Sequence, residues 1–87
     1  MSVANKVRMA TSFKRKNAVQ MAAHMGIHAQ SYRNKLTRDS FNVWDLIEIS
    51  EAIGGKLVLE VDDQRIVFGV EDLPPERIEK YQGDTEA

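Results

Sequence analysis

The chain contains no cysteine, which excludes a disulfide framework and any thiolate metal site. No apolar run approaches the roughly 20 residues that span a bilayer, and the amino terminus lacks the apolar core of a secretory signal. No membrane partner is expected, and the expected compartment is the cytoplasm. The only two prolines fall together at Pro74-Pro75, where regular structure should break. Also missing is negative charge from the first part of the chain. Residues 1–38 carry Lys6, Arg8, Lys14, Arg15, Lys16, Arg33, Lys35 and Arg38, and not one Asp or Glu. The other four cations and all 13 carboxylates follow, so a net charge of −1 hides one part at +8 and another at −9.

The groups of a catalytic centre are missing too. There is no glycine-rich phosphate loop, and no nucleophile, base and orienting acid assemble, so the chain is not expected to be an enzyme. His24 and His28 have the spacing of a helical metal pair, but Gly26 lies between them and no further ligand completes a site. Asp62-Asp63 is explained by a turn. No cofactor, metal or small-molecule ligand is implied.

What is present fits one small domain of 87 residues, 43% apolar and 29% charged. Its organising stretch is Asn17 to Leu36. Asn17 can cap a helix, with Gln20 placed three residues on to complete a capping box. Met21, Ala22 and Met25 give that helix one apolar side. Gly26 suits a helix end that needs positive φ, and Ile27 is an apolar plug. A second helix starts near His28 or Ala29, with Tyr32 and Leu36 inward and Ala29, Gln30, Arg33, Asn34 and Thr37 outward. Arg38 lies just beyond.

This is the pattern of a helix-turn-helix, whose second helix lies in the DNA major groove. The stretch resembles the phage-repressor-like family, of XRE or Cro type. The resemblance is carried by Met21-Ala22, Met25-Gly26-Ile27 and Gln30-Ser31-Tyr32-Arg33-Asn34-Lys35-Leu36. Downstream, Arg38-Asp39-Ser40-Phe41 and Leu46 to Gly54 resemble the family's closing helix. Where the family usually has Ser or Thr, this chain has His28. The resemblance implies sequence-specific binding of double-stranded DNA by a transcriptional regulator of phage or mobile-element type, chiefly a repressor, working as a homodimer near the nucleoid. Gln30, Arg33, Asn34, Ala29 and His28 are the candidate base readers. Lys14, Lys16, Asn17, Lys35 and Arg38 are the candidate phosphate contacts. The basic block on these elements has the charge that phosphate binding needs. The alternative is a protein-interaction module, an antitoxin-like or adaptor protein that grips its partner with the hairpin and acidic tail.

The remaining segments complete the expected fold: mainly α, with four or five helices and an appended β-hairpin. Ser2 can cap a first helix running to about Arg15, with Val3, Val7 and Ala10 on one side and Met9 and Phe13 flanking. Lys14-Arg15-Lys16 close it, serving either its dipole or a phosphate clamp. Asn42 and Asp45 form a second capping box, and Phe41 with Leu46 could staple the entry. Val43, Leu46, Ile47, Ser50 and Ile53 are the expected buried stripe with Ile49 beside it, leaving Asp45, Glu48 and Glu51 outside. Trp44 is either a core-edge residue or a dimer contact. From Lys56 to Val70 the pattern alternates around a turn at Asp62-Asp63-Gln64. Such a hairpin is marginal alone and must pack on its own helices or on a second copy. Pro75 could open a short helix through Tyr81, with Gly83 onward disordered. The expected division is therefore a helical domain at 1–54, a hairpin at 55–70 that could make the dimer, and an acidic, partly disordered tail at 71–87.

Overall fold

Side chains that serve backbone groups decide where the helices begin. The structure, a computed structural model, describes residues 2–81. Helix α1 (Val3–Phe13) starts at Ser2, whose hydroxyl accepts the Asn5 N–H at 3.0 Å. Helices α2 (Ala18–Met25) and α4 (Val43–Ala52) open with the two expected capping boxes, Asn17 with Gln20 and Asn42 with Asp45. Helix α3 (Ala29–Arg38) differs: His28 stands at its cap position and makes no side-chain cap bond.

Helices α1 to α4 end alike. A left-handed residue follows each, at Arg15 (φ 55°), Gly26 (73°), Asp39 (56°) and Gly54 (70°). The next N–H then returns to a carbonyl five positions back: Lys16 to Thr11 at 3.1 Å, Ile27 to Ala22 at 3.0 Å, Ser40 to Lys35 at 3.0 Å and Gly55 to Ser50 at 2.8 Å. This closure satisfies carbonyls that the helix itself leaves open. The two glycines announce it in the sequence, whereas Arg15 and Asp39 do not. As expected, Lys14-Arg15-Lys16 close α1, although the helix proper ends at Phe13 and the three residues also form the turn into α2.

The core gathers Val7, Met21, Ala22, Met25, Tyr32 and Ile49, with Leu36, Phe41 and Leu46 packed against it. Tyr32 meets the Phe41 ring edge-on at 5.9 Å. The expected stripe of α1 is corrected. Ala4, Val7 and Thr11 are buried, while Val3, Met9 and Phe13 are exposed. Asp39 closes the start of the helix from a distance: its carboxylate accepts the Ala4 N–H at 2.7 Å. Thr11 can be buried because its hydroxyl donates to the Arg8 carbonyl.

On α4, Ile47 and Ile49 are buried, as expected, whereas Val43, expected in the stripe, is exposed. Asp45 and Glu48, expected outside, are each 1% exposed. The carboxyl-terminal segment covers them. After a 3-10 turn at Val70–Asp72, helix α5 (Pro75–Ile78) and a further 3-10 turn to Tyr81 run back across α4. Residues 71–81 are thus a docked strap and not a free tail. The expected disorder from Gly83 lies outside the described residues.

Strands β1 (Leu57–Val61) and β2 (Gln64–Phe68) form the antiparallel hairpin. Leu57 pairs with Phe68, Leu59 with Ile66 and Val61 with Gln64, so the turn is Asp62-Asp63 alone and Gln64 belongs to a strand. Val70 lies beyond it, in the 3-10 turn. Alternation puts Leu57, Leu59, Val61, Ile66 and Phe68 on one face, and Val58 and Val67 with Glu60 and Arg65 on the other. Leu57 and Phe68 are half-buried near the helices. Further along, Leu59, Val61 and Ile66 remain 53%, 50% and 52% exposed. Among the described residues, no helix is long and apolar enough to cross a membrane.

Candidate nucleic-acid interface

Helices α2 and α3 are joined by only Gly26-Ile27-His28, the short glycine-containing connection of a helix-turn-helix. Gly26 adopts the left-handed φ that the turn requires. Ile27 is half-buried against the core. Tyr32 is buried and Leu36 half-buried on the rear of α3, so the opposite side faces solvent. Burial raises the Tyr32 hydroxyl pKa above its ordinary value, opposed by the positive charge of Arg8.

That solvent side brings together Gln30, Arg33, Asn34, Thr37 and Arg38, all exposed. Gln30 Nε2 donates to Asn34 Oδ1 at 3.1 Å. The two amides, one helical turn apart, are therefore held as a unit, with the Gln30 oxygen and the Asn34 amino group still free to meet a base edge. Among the described residues, Arg33 and Arg38 form no ion pair with a carboxylate.

The other candidates divide. Ala29, expected to point outward, is half-buried and packs on the core. His28 is exposed at the head of α3. Lys16 is exposed in the α1–α2 turn. Asn17 is exposed, but its side-chain oxygen is committed to the Gln20 N–H at 2.8 Å. Lys14 reaches over Gly54, at the negative end of the α4 dipole. Lys35 faces rearward. Its ammonium lies 3.1 Å from Asp45, with the side chain 27% exposed, so its charge is already matched within the molecule.

Sequence reasoning missed the cluster to which Lys35 belongs. Asp45 also receives Arg77 at 3.1 Å, and Arg77 reaches Glu48 at 3.2 Å. Glu48 further accepts the Tyr81 hydroxyl at 3.0 Å and pairs with Lys80 at 2.7 Å. Lys80 continues to the Met25 carbonyl at 3.0 Å, the last residue of α2. The Arg77 guanidinium also lies over Trp44, 5.8 Å from the ring centroid, so Trp44 sits at the edge of the core beneath the strap. Asp45, Glu48, Arg77 and Lys80 thus tie the rear of α3 and the end of α2 to the strap. The available signal was two cations inside an otherwise acidic tail.

No family model, curated protein or solved structure matches this chain.

On chemistry alone, the exposed side of α3 carries the residue types that read DNA. Arginine bonds bidentately to guanine, and glutamine or asparagine to adenine, in the major groove. His24, the other member of the histidine pair, lies against the Tyr81 ring at 5.6 Å. His28 stands at the head of the next helix. Among the described residues no group of three or more His, Asp or Glu could hold a metal ion.

Proposed function

We propose that this protein is a sequence-specific, double-stranded DNA-binding transcriptional repressor that lays α3 in the major groove and works as a homodimer. One observation supports this above the others: Gln30, Arg33 and Asn34 project together and exposed from α3, and Arg33 pairs with no carboxylate among the described residues. Arg33 reads guanine, and the paired Gln30 and Asn34 read adenine. Arg38 and Lys16 hold phosphate, and Lys35 instead fixes α3 from behind. Asp45 and Glu48 lie under the strap, away from the surface where they would repel DNA. The alternative, a module that grips a protein partner with the hairpin and acidic tail, has less support, because Arg77, Lys80 and Tyr81 of that tail are already engaged with α4.

Selection of bound sites from random duplexes tests the reading, followed by titration of variants across salt. Arg33→Ala should lose about 1–3 kcal/mol at the selected site and leave non-specific binding nearly intact. Lys16→Ala should weaken all sequences alike and lower the salt slope by about one. Identical behaviour of the two variants, or failure to enrich any sequence, would overturn the assignment.

A further inference from the structure

Two apolar features of the surface are left open among the described residues. The first is an apolar groove of about 440 Å³ between α1, α4 and the start of β1. Val3, Ala10, Leu46, Ile53 and Leu57 line it, and the exposed cations Lys6 and Lys56 stand at its sides. The second is the far half of the hairpin, where Leu59, Val61 and Ile66 share one face and each remains half exposed, although Ile66 also borders a cleft with Val43 and Trp44. It ends in Asp62 and Asp63, both exposed. Among the described residues none of Lys6, Lys56, Asp62 or Asp63 is in an ion pair.

These features match in chemistry: an apolar slot flanked by positive charge, and an apolar finger tipped with negative charge. They cannot meet within one chain. Leu57 lines the groove at the base of β1, while Val61 lies four residues further along a straight strand, roughly 13 Å away. Bringing the finger back would break the pairing of Leu59 with Ile66. A second copy is free of that constraint, and a two-fold axis uses each feature twice, since each groove then receives the other copy's finger.

We infer that the occupant of the groove is a second copy of this chain, whose hairpin finger inserts reciprocally to make the dimer. Contacts of the groove with Leu59, Val61 and Ile66 supply the apolar part, and Lys6 and Lys56 meet the partner's Asp62 and Asp63. This names the dimer surface of the DNA-binding reading but does not depend on DNA, so it is tested without any.

Sedimentation of the full chain over a range of concentrations should show a monomer–dimer equilibrium. Leu59→Lys should weaken the dimer at least tenfold while leaving the helical circular dichroism unchanged. A charge exchange separates this arrangement from a hairpin-to-hairpin dimer. One variant carries Lys6→Glu and Lys56→Glu. The other carries Asp63→Lys with Asp62→Asn, since asparagine tolerates the positive φ at that position. Each alone should be monomeric at concentrations where the unaltered chain is dimeric, and an equimolar mixture should recover dimers, because both finger–groove contacts are then attractive. A monomer at millimolar concentration overturns the proposal. So does a dimer indifferent to Lys6→Glu and Lys56→Glu, or a mixture that stays monomeric. Any of these outcomes leaves DNA recognition by α3 to be judged by its own titration.

Discussion

Arg15 illustrates how one residue can work against its own backbone. Its φ of 55° places it in the left-handed region, where a side chain costs about 1–2 kcal/mol and glycine almost nothing. Nothing in its neighbourhood hydrogen-bonds the side chain among the described residues, so the strain brings no visible contact in return. Arg15→Gly should therefore raise stability by about 0.5–1 kcal/mol, lifting the melting temperature of so small a domain by about 4 °C. Affinity for DNA should fall with the lost charge. Thermal melts and binding titrations on one preparation check both halves. Asp39 shares the conformation but not the expectation, because its carboxylate holds the Ala4 N–H. Replacing Asp39 with glycine exchanges relief of strain for an open helix start.

At the scale of elements, legibility followed the reach of each interaction. The boxes at Asn17 and Asn42, the turn at Gly26, and Met21, Ala22, Met25 and Tyr32 in the core act over three or four residues, and they could be read directly. The rearward half of the site could not. Lys35, Asp45, Glu48 and Arg77 look like ordinary solvated charges until α5 crosses α4, because the partners are 29 and 32 residues apart. The same distance hid the bond of Asp39 to Ala4, 35 positions away. The strap should consequently matter to stability. Arg77→Leu leaves two buried carboxylates with one ammonium each and should cost about 3 kcal/mol in denaturant unfolding. Retention of full stability would mean that Lys35 and Lys80 suffice.

For the whole molecule, the two tyrosines give a readout of folding itself. Tyr32 is raised above its ordinary pKa by burial. Tyr81 is raised by burial and then by the adjacent negative charge of Glu48, to which its hydroxyl donates. A raised folded-state pKa means that the folded chain keeps the proton more tightly than the unfolded one. The associated stability is thus complete below the unfolded value, about 10, and drains away as pH climbs from there toward the folded values. Ultraviolet absorbance should show little tyrosinate at pH 10 in the folded protein, and both rings should become about half ionised together when denaturant is added at that pH. Tyr81→Phe should flatten the alkaline loss of stability without abolishing it, since Tyr32 remains. Early ionisation of either ring would show the strap or the core to be open in solution.

The rear attachment of α3 divides that helix into two alphabets. Tyr32, Lys35 and Leu36 are spoken for by the core and by Asp45, whereas Gln30, Arg33, Asn34 and Thr37 owe nothing to the fold beyond one amide pair. Rewriting the second set should yield folded proteins with new target preferences. A wholesale helix transplant that discards Lys35 would instead leave the buried Asp45 carboxylate with Arg77 as its remaining cation and loosen the rear of the helix.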